Sequence, residues 1–262
     1  MGPELLSQLV SELVTMANRS LELGAIHLSV VVPCFNEASH IEAFVRSWVE
    51  HLSKLEIVFD FTVINDGSTD GTGRILDSLR REFKCLRVFH QLKSGHGKSI
   101  RRGYEAARGE FIFQTDANGR YETTDFPRLW EERHNFDLIL GNRIHRLDPI
   151  MERAFSQLLR RAFKKIAAPL EDPASSFRLF RREVADEFLT SLPTQCAATN
   201  LLLSAFFASR DSTRVLEVGI PHRVKREKER NSLGAQVGQG FSLIAELVSQ
   251  RRKFPKQTLH SA

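Results

Sequence analysis

At 262 residues, with 42% hydrophobic and 26% charged residues, the chain is long enough for one large α/β domain or two small ones, and its composition excludes disorder as the default state. A formal net charge of +5 and a pI near 9.3 suit an anionic partner: nucleic acid, a phosphorylated substrate or a membrane surface. Cys34, Cys85 and Cys196 form no C-x-x-C pair, so neither a disulfide framework nor a zinc site is indicated, and no run of about 18 apolar residues is present to span a bilayer.

The N-terminal stretch carries Glu4 and Glu12 and lacks the basic start and apolar run of a signal peptide, so a reduced, cytoplasmic setting is expected. Residues 4–23 place Leu5, Leu6, Leu9, Val10, Leu13, Val14, Ala17 and Leu21 at helical spacing. This predicts an amphipathic helix within residues 1–25, packed on the domain or on a partner subunit. Residues 26–262 then read as a single domain.

A strand is predicted over 27–32, stopped by Pro33, and a helix over 38–52 with Ile41, Phe44, Val45, Trp48 and Val49 inward. A second strand, 56–64, runs into the turn-rich 65–71 and a helix to about 83; a short strand follows at 86–90. The polar loop 93–98 opens a helix to 108, before strands at 111–114 and 137–140, the second ending ahead of Gly141-Asn142-Arg143. Helices are expected over 151–168, 182–191, 197–209 and 237–253, with strands at 175–180 and 215–220 and a basic loop at 222–232. The β-α alternation predicts a doubly wound, mainly parallel mixed sheet flanked by helices.

In such sheets ligands bind at the carboxyl ends of the strands, and polar residues collect there. Asp116 and Asn118 follow a buried strand and can offer two oxygens to a hard cation, although an Asx turn would look the same. Asn36 and Glu37 stand where a base or ribose can be bonded, or they cap the next helix; Asp70 reads as a helix cap. Gly95 and Gly97 permit close backbone approach, and Lys98 adds a point charge at a helix N-terminus, an arrangement suited to a diphosphate or equally to a flexible turn.

Together, VVVPCFNE (30–37), VINDGSTDGT (63–72), GHGKSIRRGYEAARGE (95–110) and FQTDAN (113–118) resemble, in order and spacing, the family 2 glycosyltransferases of GT-A fold. GNR (141–143), DPASSFRLFRR (172–182) and EVGIPH (217–222) are similar to the dolichol- and polyprenyl-phosphate branch of that family. The resemblance implies metal-assisted, inverting transfer from a nucleoside diphosphate sugar. Residues 26–120 would form the sugar-nucleotide half, with Pro33, Asn36, Glu37, Asp66, Lys98 and Asp116 at the donor. Asp116, with Asn118 in place of the second acid of D-x-D, would hold Mg2+ or Mn2+. Residues 121–262 would form the acceptor half, where Arg143, Arg178 and Ser176 receive a phosphate.

Asp172 is expected either to orient Arg178 or to act as base toward a hydroxyl. A phosphate monoester is already ionised and needs no base, and Thr199-Asn200 stands where hydroxyl-glycosylating relatives carry an acidic pair, so the expected acceptor is a polyprenyl phosphate. Ser176 replaces the glycine of the usual S-G-F-R, and the loop after His222 leaves Lys225 or Arg226 open as a further phosphate contact. The helix over 151–168 either touches a membrane through its basic face or packs its apolar stripe on the core. Rival readings are transfer to a glycan or small-molecule hydroxyl, nucleotidyl transfer, and a non-catalytic anion-binding module. Without interleaved aromatic and basic residues, no nucleic acid partner is expected.

Overall fold

The computed structural model describes residues 26–144, 150–192, 196–210, 213–221 and 233–253; the expected N-terminal helix and the basic loop after His222 lie outside them. The chain divides into two compact units, one of residues 1–118 with 181–186, the other of 119–180 with 187–262.

In the first unit, β1 (Leu28–Cys34), α1 (Ile41–Lys54), β2 (Phe59–Asp66), α2 (Thr72–Glu82), β3 (Leu86–Gln91), α3 (His96–Ala106) and β4 (Phe111–Gln114) alternate without interruption. The strands pair in parallel in the order β3-β2-β1-β4. The chain steps outward from β1 to β3 and then crosses back to the other side of β1, so right-handed crossovers put α1 and α2 on one face and α3 on the opposite one. The connection reverses between β1 and β4, which makes their carboxyl ends the switch point where ligands of such sheets bind.

β1 and β2 are buried along their whole length, as strands covered on both faces must be. Ile41, Val45, Trp48, Val49 and Leu52 form the buried stripe of α1, and the Trp48 ring lies 5.2 Å from that of Phe113 on β4. On the other face α3 packs on β1 and β2, where a Cβ on Gly103 would overlap Val31 Cγ1; the glycine is required by close approach, not by its φ. β1 runs on through Pro33 to Cys34, paired with Ile64 and Asn65 of β2. Val31 accepts from Thr115 on the β4 side, and Pro33, two residues on, faces the same way beyond the end of β4. Its missing N–H therefore costs no ladder bond.

The second unit contains a 3₁₀ turn (Thr123–Asp125), α4 (Phe126–Trp130), β5 (Leu138–Ile144), α5 (Ile150–Ile166), α7 (Thr199–Ala208), β7 (Val215–Pro221) and α8 (Leu233–Gln250). β6 (Arg178–Arg181) pairs antiparallel to β5 through Arg178–Phe180, and β7 pairs parallel to β5. α6 (Arg182–Ser191) follows, its first turn counted with the first unit, where the Arg182 amide donates to Glu110 O at 2.9 Å. β5 does not stop at Leu140: it carries Gly141-Asn142-Arg143 within the strand, in register with Val218, Gly219 and Ile220. The apolar run ends before the pairing does. Gly141 is required there because a Cβ would come 2.9 Å from Ile220 Cγ1 and Phe177 Cδ1.

α5 packs against α8, and Leu159 and Phe163 of its stripe are buried while Leu158 is 44% exposed. Of the two expectations for this helix, core packing therefore accounts for that part of the stripe. No helix among the described residues is long and apolar enough to cross a membrane.

Candidate active site

At the switch point, Asn36 adopts a left-handed conformation (φ 53°) just beyond β1. Its amide N–H donates to Ser68 Oγ at 2.9 Å and its side-chain oxygen accepts from Thr69 N–H at 2.8 Å. The buried Glu37 donates its amide to Thr72 Oγ1 at 2.9 Å. Glu37 O accepts from the His40 and Ile41 amides, at 2.9 and 2.8 Å, where α1 begins, and the N-cap His40 makes no side-chain capping bond. Asp70 accepts from Ala38 N–H (2.9 Å), Thr72 N–H (3.1 Å) and the Thr72 hydroxyl (2.5 Å), so it serves the first turn of α2 from one position ahead of the N-cap Gly71. These bonds tie the loops after β1 and β2 into one rigid shelf.

Asp66, the last residue of β2, is 3% exposed. Oδ1 accepts from Gln91 Nε2, Ser94 N–H and the Ser94 hydroxyl, each at 2.8 Å, and Oδ2 from Gly95 N–H at 2.9 Å. Burial pushes this carboxyl up, but the bonds from Gln91, Ser94 and Gly95 outweigh it and hold it down to about 2. Asp66 is thus the anchor of the loop that opens α3.

Gly95 (φ 102°), the N-cap of α3, has no side chain to cap it and open space at its Cβ position, and the amides of His96 and Lys98 stand at the helix start. Lys98 makes no hydrogen bond or ion pair among the described residues. His96, to which sequence reasoning gave no role, brings Nε2 to 3.8 Å from Asp116 Oδ1 just past β4. Amides, an ammonium and the positive end of a helix dipole form an anion site of the kind that accepts phosphate.

Among the described residues no three His, Cys, Asp or Glu side chains gather as a metal cluster. One carboxylate with an imidazole nearby and the Asn118 amide two residues on is a set of low charge. It fits a cation of the Mg2+ or Mn2+ type that draws its remaining ligands from a bound diphosphate.

In the second unit, Arg143 and Asp172 form a two-pronged pair, Nε to Oδ2 at 2.5 Å and Nη2 to Oδ1 at 2.7 Å, and the Arg143 amide adds a bond to Oδ2 at 3.2 Å. The expectation that Asp172 orients Arg178 is corrected: it orients Arg143. Holding both oxygens against a guanidinium also argues against a base. The assignment of Arg178 to an acceptor phosphate is corrected as well, because Arg178 is fully buried. Its guanidinium donates to the carbonyls of Ser175 (2.7 Å from Nε), Pro173 (3.1 Å) and Asn200 (2.9 Å), with the Ser204 hydroxyl at 3.4 Å. Ser176 is buried and keeps a negative φ, so its backbone does not use the freedom of a glycine. It is Ser175 that bonds Gly141 O, at 2.7 Å.

A cavity of about 270 Å3 opens beside Arg143, lined also by Asn142, Gln157, Arg160, Asp172 and Pro173. Glu171 at its edge pairs with Arg160 (2.6 Å) and Lys164; the Lys164 ammonium, and then Arg160, lower its pKa. Glu217 on β7 accepts from the Glu171 and Asp172 amides, at 3.0 and 2.9 Å to Oε1 and 2.9 Å from Glu171 to Oε2. The glutamate of EVGIPH was readable in the sequence, but its partners were not.

The model of glycosyl transferase family 2 matches residues 29–189. A dolichyl-phosphate beta-glucosyltransferase of Dictyostelium discoideum is 27% identical over 64% of the chain and 58% of its own length. An undecaprenyl-phosphate 4-deoxy-4-formamido-L-arabinose transferase of Pseudomonas fluorescens is 24% identical over 88% of the chain and 67% of its own. The chain spans about six tenths of the length of the first curated relatives it matches. Among solved structures, glucosyl-3-phosphoglycerate synthase from Mycobacterium tuberculosis, in complex with Mn2+, UDP and phosphoglyceric acid, superposes with a TM-score of 0.67 at 20% identity, covering 94% of the chain and 83% of that one. The mainly parallel α/β fold is thus that of GT-A glycosyltransferases.

Proposed function

The chain belongs to glycosyl transferase family 2, and from that premise we propose that it moves a sugar from a nucleoside diphosphate sugar to a phosphate monoester, a polyprenyl phosphate. The α3 N-terminus carries this reading: its helix dipole, Lys98, which makes no hydrogen bond or ion pair among the described residues, and His96 near Asp116 are suited to a diphosphate leaving group. Pro33, Asn36 and Glu37 line the nucleoside's side of the switch point, on the shelf that Asp66 and Asp70 hold rigid. A divalent cation bound by Asp116 and Asn118 would neutralise charge developing on the diphosphate.

On the acceptor side, Arg143 in its cavity holds the phosphate by charge-assisted bonds. An oxygen of that dianion attacks C1 from the face opposite the diphosphate. The new C1–O bond forms as the old one breaks, the nucleoside diphosphate departs with the electron pair, and the anomeric configuration inverts. No proton need be removed, which agrees with Asp172 being engaged by Arg143. The names of the relatives, dolichyl- and undecaprenyl-phosphate transferases, support the lipid over a soluble acceptor. Peripheral contact at a cytoplasmic membrane face would use the exposed Arg161 and Lys165 of α5.

Thermal shift against UDP, GDP, CDP and dTDP sugars, with and without Mn2+, identifies the donor. That donor, radiolabelled, is then offered undecaprenyl phosphate in vesicles, the unphosphorylated polyprenol, or phosphoglyceric acid. Label moving to the lipid phosphate with release of nucleoside diphosphate is expected. Labelled polyprenol would establish a hydroxyl acceptor instead, labelled phosphoglyceric acid a soluble one, and released pyrophosphate a nucleotidyltransferase.

A further inference from the structure

Glu217 sits in the middle of β7, opposite Leu140 of β5, and three positions further along the same pair of strands lies Arg143, opposite Ile220. Between them runs the Glu171-Asp172 turn. It is gripped from one side by the Glu217 carboxylate, through both of its amides, and it grips Arg143 on the other, through the Asp172 carboxylate. We infer that Glu217 is a positioning residue for the acceptor phosphate, setting the Arg143 guanidinium at the cavity through the 171–172 turn and Asp172. This rests on the reading of Arg143 as the acceptor's phosphate contact.

Stability by itself does not account for the choice of residue. Glu217 is half-buried, pairs with no cation among the described residues and stands near two further carboxylates; burial, then Asp172 and Glu171, push its pKa up against the pull of the two amides. A neutral side chain would satisfy those amides without the desolvation cost. Oε1 accepts from both amides and Oε2 adds a second bond from Glu171, so one side chain fixes the turn at Glu171 and Asp172 together. A turn so fixed presents Asp172 in one orientation, and the two-pronged pair passes that orientation to Arg143.

Isothermal titration of the whole chain with farnesyl phosphate tests this, with UDP titrated in parallel as a reference ligand. Glu217→Ala is expected to weaken farnesyl phosphate about tenfold, Glu217→Gln to stay within about twofold because one oxygen still accepts from both amides, and UDP to be unaffected by either. In an Arg143→Gln background, Glu217→Ala is expected to add no further loss. Unchanged affinity in Glu217→Ala, additive losses, or a parallel loss of UDP binding would each overturn the inference. Should the alanine variant fail to fold, Glu217→Asp, one methylene shorter and still charged, carries the same comparison. If Arg143→Gln itself leaves farnesyl phosphate binding unchanged, the acceptor reading falls; if it weakens binding while Glu217→Ala does not, the relay falls and the acceptor reading stands.

Discussion

Asp66 and Asp70 of the first unit and Arg178 of the second solve the same problem with opposite charges. In the first, carboxylates hold loops by accepting main-chain N–H groups: the buried Asp66 takes Ser94 and Gly95, the exposed Asp70 takes Ala38 and Thr72. In the second, a buried cation holds a loop by donating to main-chain carbonyls, Arg178 to Pro173, Ser175 and Asn200. Each unit then keeps a different group toward its opening, Lys98 and Asp116 in one and Arg143 in the other. A charged residue in a motif is therefore a scaffold or a ligand contact according to where its hydrogen bonds go, and residue type does not say which.

The largest effect should come from a ligand contact. Asp116→Ala is expected to lower transfer about a hundred- to a thousand-fold with the thermal midpoint unchanged. Full turnover by the folded variant would move Asp116 to the scaffold side. Arg178→Lys should do the reverse, lowering stability by about 3 kcal/mol in urea unfolding as carbonyls lose their donors. A stable Arg178→Lys protein that had lost acceptor binding would return Arg178 to the phosphate and break the contrast.

Asp66→Asn should cost about 2 kcal/mol near neutral pH. The sign follows from a folded pKa held at about 2, below the ordinary 3.8: the ionised carboxylate stabilises fully above 3.8, and its contribution is lost as pH falls through about 2. Unfolding curves of the two proteins should thus converge in acid, and a gap independent of pH would show that the charge is not what anchors the 94–95 loop. Smallest is Asn118→Asp, expected to tighten Mn2+ a few-fold in a titration that also preserves turnover. No change would leave Asn118 outside the cation's reach.

Where apolar periodicity was strong, the sequence was sufficient: the β-α alternation from Leu28 to Gln114 and the bounds of the helix at Arg182–Ser191 are as read. Strand ends were read short at Pro33 and Gly141, because pairing depends on a neighbouring strand's length and a small residue's clearance, neither of which is local. Residues 123–130, with one short turn and a five-residue helix, carry too few periods to register. The motif positions of Asp116, Lys98 and Arg143 were visible in the string. The pairing of Asp172 with Arg143, and the burial of Arg178, depend on which of two arginines a turn brings close, and spacing carries no such information.

Gly103 gives the donor site a dependence that its distance would not suggest. It lies eight residues from Gly95, about 12 Å along the α3 axis, and its missing side chain lets the helix rest directly on Val31. The seating depth of the helix in the core therefore sets how far its opening amides stand from Asp116. Any bulk added at that distant seam would tilt the helix like a lever, and the first thing to drift would be nucleotide affinity.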